Sequence, residues 1–229
     1  DCGNPCSGIL RVGHCMEREK DPLPRGLLFL VTAPSGAGKD SVIQILREIG
    51  VDMTWVTTAV TRPPRPGEKH GVDHFFLTED EFETWLASGS FLETATVYGR
   101  RYGTPINQVR DPLLAGQDVM VRLDVQGAIE LKRRYPAAIS IFLKPPTVEE
   151  AERRMRLRRT ETSEEIKLRV DAMQDYEMSF ADRADHCVVS STDDLHEVAG
   201  RVWSIVKAAR REPDRESVAT SLTPVRVCV

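Results

Sequence analysis

The stretch Leu27-Leu28-Phe29-Leu30-Val31-Thr32-Ala33-Pro34-Ser35-Gly36-Ala37-Gly38-Lys39-Asp40-Ser41 decides how this chain is read. Its first part is a continuous apolar run, the pattern of a strand buried on both faces. A turn of small residues ending in Gly-Lys follows, and then a helix carrying Val42, Ile43, Ile45, Leu46 and Ile49. Small residues let backbone N–H groups converge on an oxyanion at the positive end of that helix, and Lys39 adds a full charge. Strand, turn and helix in this order mark a phosphate-binding loop over Ala33, Pro34, Ser35, Gly36, Ala37, Gly38, Lys39 and Asp40. Two positions depart from G-x-x-x-x-G-K-[ST]: Ala33 stands at the first glycine and Asp40 at the hydroxyl. That hydroxyl normally ligates Mg²⁺; Asp40 offers a carboxylate oxygen in its place, directly or through water.

Working outward, 229 residues suffice for one large domain with inserts. The net charge of −4, from 35 acidic against 31 basic residues, argues against general nucleic-acid or membrane-surface binding and favours a small anionic ligand gripped locally. No apolar run reaches bilayer length and no secretory segment is evident, so a cytoplasmic location is expected. Five cysteines, an odd number, argue against a disulfide framework, and Cys2, Cys6, His14 and Cys15 match no standard zinc spacing. Residues 1–25 read as a disordered leader, of which 1–15, upstream of Met16, are expected to be non-native.

After the loop and its helix comes an extended stretch, Trp55 to Thr61, then Arg62-Pro63-Pro64-Arg65-Pro66-Gly67-Glu68. Its three prolines deny a helix and fix a stiff turn bearing two guanidinium forks, which suit a phosphate dianion but read alone as solvated loop charges. Gly71 to Leu77 reads as a strand; Thr78 with Glu81 forms a capping box for a helix with Phe82, Trp85 and Leu86. Phe91 to Tyr98 alternates like a strand, and Arg100 to Thr104 reads as a turn into a helix near Pro105. The core resumes with strands at Asp118–Asp124 and Ala138–Leu143 and with helices from Ala128, Thr147 and Thr162. Six arginines between Arg153 and Arg169 form the densest basic cluster, either a solvated helix face or a lid closing on polyphosphate. A last strand at His186–Ser190 and an amphipathic helix over about 192–211 finish the domain, and 209–229 read as a disordered tail. Strands alternating with helices imply a parallel sheet covered on both faces.

In order along the chain, the loop Ala33–Ser41, Thr61-Arg62-Pro63-Pro64-Arg65-Pro66-Gly67-Glu68, Gly71-Val72-Asp73-His74-Phe75-Phe76, Phe91-Leu92-Glu93, Tyr102-Gly103-Thr104, Asp124-Val125-Gln126-Gly127 and Arg158–Thr162 resemble the blocks of guanylate kinases, over about residues 26–208. The resemblance implies a three-layer α/β P-loop NTPase fold. The core would be 26–58 and 118–208, with a small mixed α/β GMP-binding insert at about 59–117 and a helical lid at about 153–170. It implies transfer of the γ-phosphoryl of ATP to GMP, and to dGMP, with Mg²⁺. Arg62, Arg65, His74 and Tyr102 would hold the GMP phosphate. Thr58, Glu93 and Thr104 would fix the nucleotide and its base, Asp124 would lie between the nucleotides, and Lys39, Arg154, Arg158 and Arg169 would act on the ATP phosphates. A carboxylate at Glu93 suits guanine, which offers N1–H and a 2-amino group where adenine offers neither.

His74 stands where the family usually has tyrosine, so tighter GMP binding at mildly acidic pH is expected from a protonated imidazole. Arg122 replaces a residue often acidic in relatives, and Arg159 a lid glycine, which should stiffen the hinge. Asp40 also fits the ribose 1,5-bisphosphate phosphokinases of the same fold, whose loop often reads Gly-Lys-Asp; the arginine pair and Glu93 speak for a guanine nucleotide. Lys39 speaks against the non-catalytic guanylate-kinase-like domains of scaffolding proteins, which usually lack it.

Overall fold

The computed structural model describes residues 26–159, 161–191, 194–212, 218–219 and 221–225. Strand β1 (Leu28–Thr32) is buried along its whole length. Its side chains alternate between two cores, with Leu28 and Leu30 on one face and Phe29 and Val31 on the other. Full burial of such a side chain contributes roughly 1.5–3 kcal/mol, so β1 anchors both layers. The first face is covered by α4 (Val125–Arg134) and the second by α1 (Lys39–Glu48) and α7 (Leu195–Ala209), giving three layers.

β1 lies in the middle of a five-stranded parallel sheet. On one side are β7 (Val119–Leu123) and then β2 (Thr54–Trp55); on the other are β8 (Ile139–Lys144) and β9 (His186–Val189). The chain leaves β1 and β7 at adjacent C-terminal edges, where ligands of open α/β sheets bind. A second sheet, in the order β4-β3-β6-β5, is built from β3 (Ala59–Val60), β4 (Phe75–Phe76), β5 (Phe91–Val97) and β6 (Arg100–Pro105). With α2 (Glu79–Ala87) it makes the inserted lobe, whereas α3 (Asn107–Leu114), expected within the insert, packs Val109 and Leu113 into the main core beside β7. The region expected to form the lid folds as α5 (Val148–Arg158) and α6 (Ser163–Ala172).

Several elements differ from the sequence expectation. Arg100–Pro105 is a strand, not a turn: Val97 pairs with Arg100 across a two-residue loop, Tyr98 and Gly99, both at positive φ. That geometry closes a tight hairpin matched to strand twist. Gly103 misleads because its role is close approach: a Cβ there would meet the Phe91 ring at 2.7 Å. Of the expected 71–77 strand, Phe75–Phe76 pairs with β3 and His74 makes an isolated bridge to His70, since Gly71, at φ 78°, turns the chain. The stretch after α6 continues as a π turn, Met173–Glu177, and a 3-10 turn, Met178–Asp182, that put Met173 and Phe180 into the core.

The tail also departs from expectation where it is described. Val218, Ala219 and Leu222 are buried, because their side chains complete the apolar face shared with Leu92 and Leu131. The leader and its cysteines lie outside the described residues.

Candidate active site

Helix α1 opens the site. Its N-cap, Gly38, sits at φ 83° and no side chain caps the helix, whereas Thr78, Asp124, Thr147, Thr162 and Asp194 cap α2, α4, α5, α6 and α7. The first N–H groups of α1 therefore point into the cleft with the positive end of the helix behind them. Gly36, at φ 80°, has no room for a side chain: a Cβ would sit 2.3 Å from the Ala151 carbonyl oxygen. Ala33 is not among the residues at positive φ, so a methyl group at this departure from the glycine pattern costs no backbone strain. Lys39 donates to the Leu123 carbonyl. Burial lowers the pKa of its ammonium, while Asp40 and Asp124 pull it back up.

The cleft is walled by Ala33, Pro34, Ser35, Gly36, Gly38, Lys39 and Asp40 on one side and by Thr58, Arg62, Arg65, His74 and Tyr102 on the other, with Asp124, Arg158 and Arg169 between them. Of the expected loop residues, Ala37 faces the core instead. Arg154 lies behind the loop rather than on the wall. It donates to the Gly36 carbonyl at 3.3 Å and the Ser190 carbonyl at 3.2 Å, and pairs with Glu150 at 2.8 Å. Arg169 donates to Ser35 Oγ at 2.8 Å and lies over the Tyr98 ring at 4.6 Å, joining lid, phosphate loop and hairpin turn. Arg153 and Arg156 pair with Glu150 and Glu152 on their own helix, which makes them the solvated face.

At the other end the guanidinium forks meet carboxylates of the chain itself. Arg62 binds Glu68 through both nitrogens, at 2.6 and 2.7 Å, and Arg65 binds Glu161 at 2.6 Å. Both arginines are thus already posed for an oxyanion. His74 shares a 2.9 Å hydrogen bond between Nδ1 and Thr58 Oγ1. Burial, helped by Arg122 and Arg62, pushes His74 down to about 4, so the ring is neutral at mildly acidic pH and the expected protonation is reversed for the free protein.

Glu93 and Thr104 stand behind the cleft wall. Thr104 donates to Glu93 Oε1 at 2.6 Å, and Oε2 is buried without a partner. A methyl group placed on Gly127 would lie 3.0 Å from Glu93 Oε2 and 3.3 Å from Asp124 Oδ2, so the two carboxylates converge on the start of α4. Burial pushes Glu93 up to about 8, with the Thr104 hydroxyl opposing and Asp124 adding to the rise. Asp124 is itself oriented by accepting from the Gln126 and Gly127 N–H groups.

Known proteins match the part of the chain that builds this cleft. The guanylate kinase family model matches residues 26–209. Guanylate kinase of Sphingopyxis alaskensis is 41% identical over 193 residues, covering 84% of this chain and 86% of that protein. The enzyme of that name from Gloeobacter violaceus is 41% identical over 167 residues, 73% and 81% of the two. This chain belongs to the guanylate kinase family. A crystal structure of guanylate kinase from Anaplasma phagocytophilum superposes with a TM-score of 0.67 at 26% identity, over 87% of this chain and 94% of that one.

Within this guanylate kinase site, sequence reasoning missed Tyr98, Glu161 and Glu177, and saw Arg122 only as a substitution. Glu177 lines the cleft with Oε2 buried and unpartnered, and Tyr98 donates to its other oxygen at 3.4 Å. Burial and Asp124 push Glu177 up to about 7, with Lys39 opposing. Its signal lay in spacing: a carboxylate four residues after Met173 and three before Phe180 falls on an inward helix face. Arg122 reaches Asp40 Oδ1 at 3.5 Å and donates to the Asp73 carbonyl. Partial desolvation by the surrounding protein pushes the Asp40 carboxyl up, but Lys39 and Arg122 outweigh it and hold it below the ordinary range. The side chain is 62% exposed, so an oxygen stays open to the cleft. An ionised, accessible oxygen beside the phosphate loop fits Mg²⁺, which takes one or two carboxylates and completes its shell with water and phosphate oxygens. Among the described residues no helix is long and apolar enough to cross a membrane.

Proposed function

We propose that this protein transfers the γ-phosphoryl group of ATP to GMP, and to dGMP, giving ADP and the nucleoside diphosphate. The observation that carries the reading is one continuous cleft with the open N-terminus of α1 and Lys39 on one side and the Arg62 and Arg65 forks on the other. An oxygen of the GMP phosphate attacks the γ-phosphorus. The bond from that phosphorus to the β–γ bridging oxygen breaks, and its electron pair leaves on ADP.

Such a transfer needs positioning and charge neutralisation more than covalent chemistry. Gly36, Gly38 and the first N–H groups of α1 would cradle the ATP phosphates, with Lys39 between β and γ. Arg158 and Arg169 would neutralise charge from the lid, and Arg154 would brace the loop at the Gly36 carbonyl. Arg62, Arg65 and Tyr102 would grip the acceptor phosphate, displacing Glu68 and Glu161 from the guanidiniums. Glu93, held by Thr104, would accept from guanine N1–H and the 2-amino group, with Asp124 beside it. Mg²⁺, held by Asp40 and by phosphate oxygens, would supply charge neutralisation when bound. Lid closure would exclude water and suppress hydrolysis. ATP and GMP as substrates favour a cytoplasmic place of work.

Parallel ADP-release assays with ATP, Mg²⁺ and GMP, AMP, UMP, CMP or ribose 1,5-bisphosphate test this. Turnover with GMP alone, lost in Glu93→Ala, is expected. Turnover with the sugar bisphosphate would move the protein to the other phosphokinase family.

A further inference from the structure

Strand β5 forms the outer edge of the lobe sheet, and its register with β6 slips between Phe91 and Glu93. A bulge at an edge leaves backbone groups unpaired and lets a side chain be re-aimed. Here the two carbonyls just before Glu93 are taken up from outside the sheet. The Val225 N–H donates to the Phe91 carbonyl at 2.8 Å, and Arg134, the last residue of α4, donates to the Leu92 carbonyl at 2.7 Å.

The same arginine clasps the C-terminal segment. Its other terminal nitrogen donates to the Thr223 carbonyl at 2.7 Å, and the Thr223 N–H donates to the Tyr135 hydroxyl at 3.0 Å. Val218, Ala219 and Leu222 are buried against the core that contains Leu92, Val125 and Ala128. Helix α4 therefore has Asp124 and Gly127 against the Glu93 carboxylate at its start and Arg134 on the backbone of β5 at its end. The guanylate kinase family model stops at residue 209, so this segment lies beyond what that model describes.

We propose that residues 218–219 and 221–225, locked by Arg134, form a positioning strap that sets the reach of Glu93 toward the guanine base. The proposal rests on Glu93 reading the base. By fastening the bulge from behind, the strap holds the carboxylate in the narrow space between Thr104 and the start of α4. ATP binds on the other side of the cleft and does not depend on it.

The test compares the full chain with a chain ending at Ser217 and with Val225→Pro, which removes one N–H donor and leaves the buried residues in place. Expected is a rise of about tenfold in KM for GMP in both, short of the ~100-fold that a full ångström of misplacement costs. KM for ATP should stay unchanged, and kcat should fall less than KM rises. If the shortened chain does not fold, Val225→Pro decides alone. A lower melting temperature with KM for GMP unchanged would reduce the segment to a structural plug and overturn the proposal. Glu93→Gln is the control: if it leaves KM for GMP alone, the reading of Glu93 has failed, whereas a large effect there with none in the strap variants refutes the strap.

Discussion

GMP binding at pH 7 should expel close to one proton, and the proton should come from Glu93. The side chain is 2% exposed and burial pushes its carboxyl up to about 8. At pH 7 such a group is protonated in about nine molecules of ten. A protonated carboxyl offers guanine one accepting oxygen at most, since its other oxygen carries a donor, whereas the ionised form accepts at both. The bound state is therefore ionised, and binding at pH 7 releases about 0.9 proton. The GMP phosphate, with a second pKa near 6, is already mostly a dianion and adds only about 0.1. Affinity for GMP should fall by up to about tenfold per pH unit below 8. Isothermal titration calorimetry in two buffers of different ionisation enthalpy counts the protons directly. Proton uptake, no exchange, or the same release from Glu93→Gln would refute the reasoning. A linked effect follows for stability. The folded carboxyl holds its proton up to about 8 while the unfolded one loses it near 4.5, so this group's contribution to stability falls as pH rises through that window. Glu93→Gln should flatten the fall in melting temperature.

Two further outcomes are expected. Arg159 sits at φ 53° at the end of α5, a conformation that costs a side-chain-bearing residue about 1–2 kcal/mol. Arg159→Gly should therefore stabilise the protein by up to about 1 kcal/mol in urea unfolding once the extra freedom of unfolded glycine is subtracted, and a loss of stability would sink the argument. Because His74 is held down to about 4, the pH profile of KM for GMP in His74→Tyr should parallel the parent between about pH 6 and 8. A step near pH 6.5 present only in the parent would show that the ring charges there.

How much was legible depended on how local the cause is. The phosphate loop and the Thr78–Glu81 and Thr162–Glu165 capping boxes rest on neighbours within a few residues, and they stand as read. The hairpin β5–β6 was half legible: Phe91–Val97 alternates, but Gly103 and Pro105 read as breakers because the Phe91 ring that demands a glycine lies far along the sequence. His74 looked poised to protonate because its local sequence does not reveal Arg122, which the fold brings from about fifty residues away. Glu161 and Glu177 went unnoticed for the same reason, since their partners Arg65 and Tyr98 are on the other lobe. The tail misled through composition: polar and Pro-bearing on average, it still carries Val218, Ala219 and Leu222 at positions that bury.

The strand order has a consequence for how the protein is made. β1 takes both its neighbours from later in the chain, and β8 emerges more than a hundred residues after it. At ~5–20 residues per second a ribosome leaves that apolar strand without its full set of partners for several seconds or longer. The segment that will hold the phosphates is thus synthesised well before both strands that secure it. During synthesis the nascent chain presents Leu28–Val31 as a sticky ribbon, a natural point of contact for chaperones and, in their absence, for aggregation.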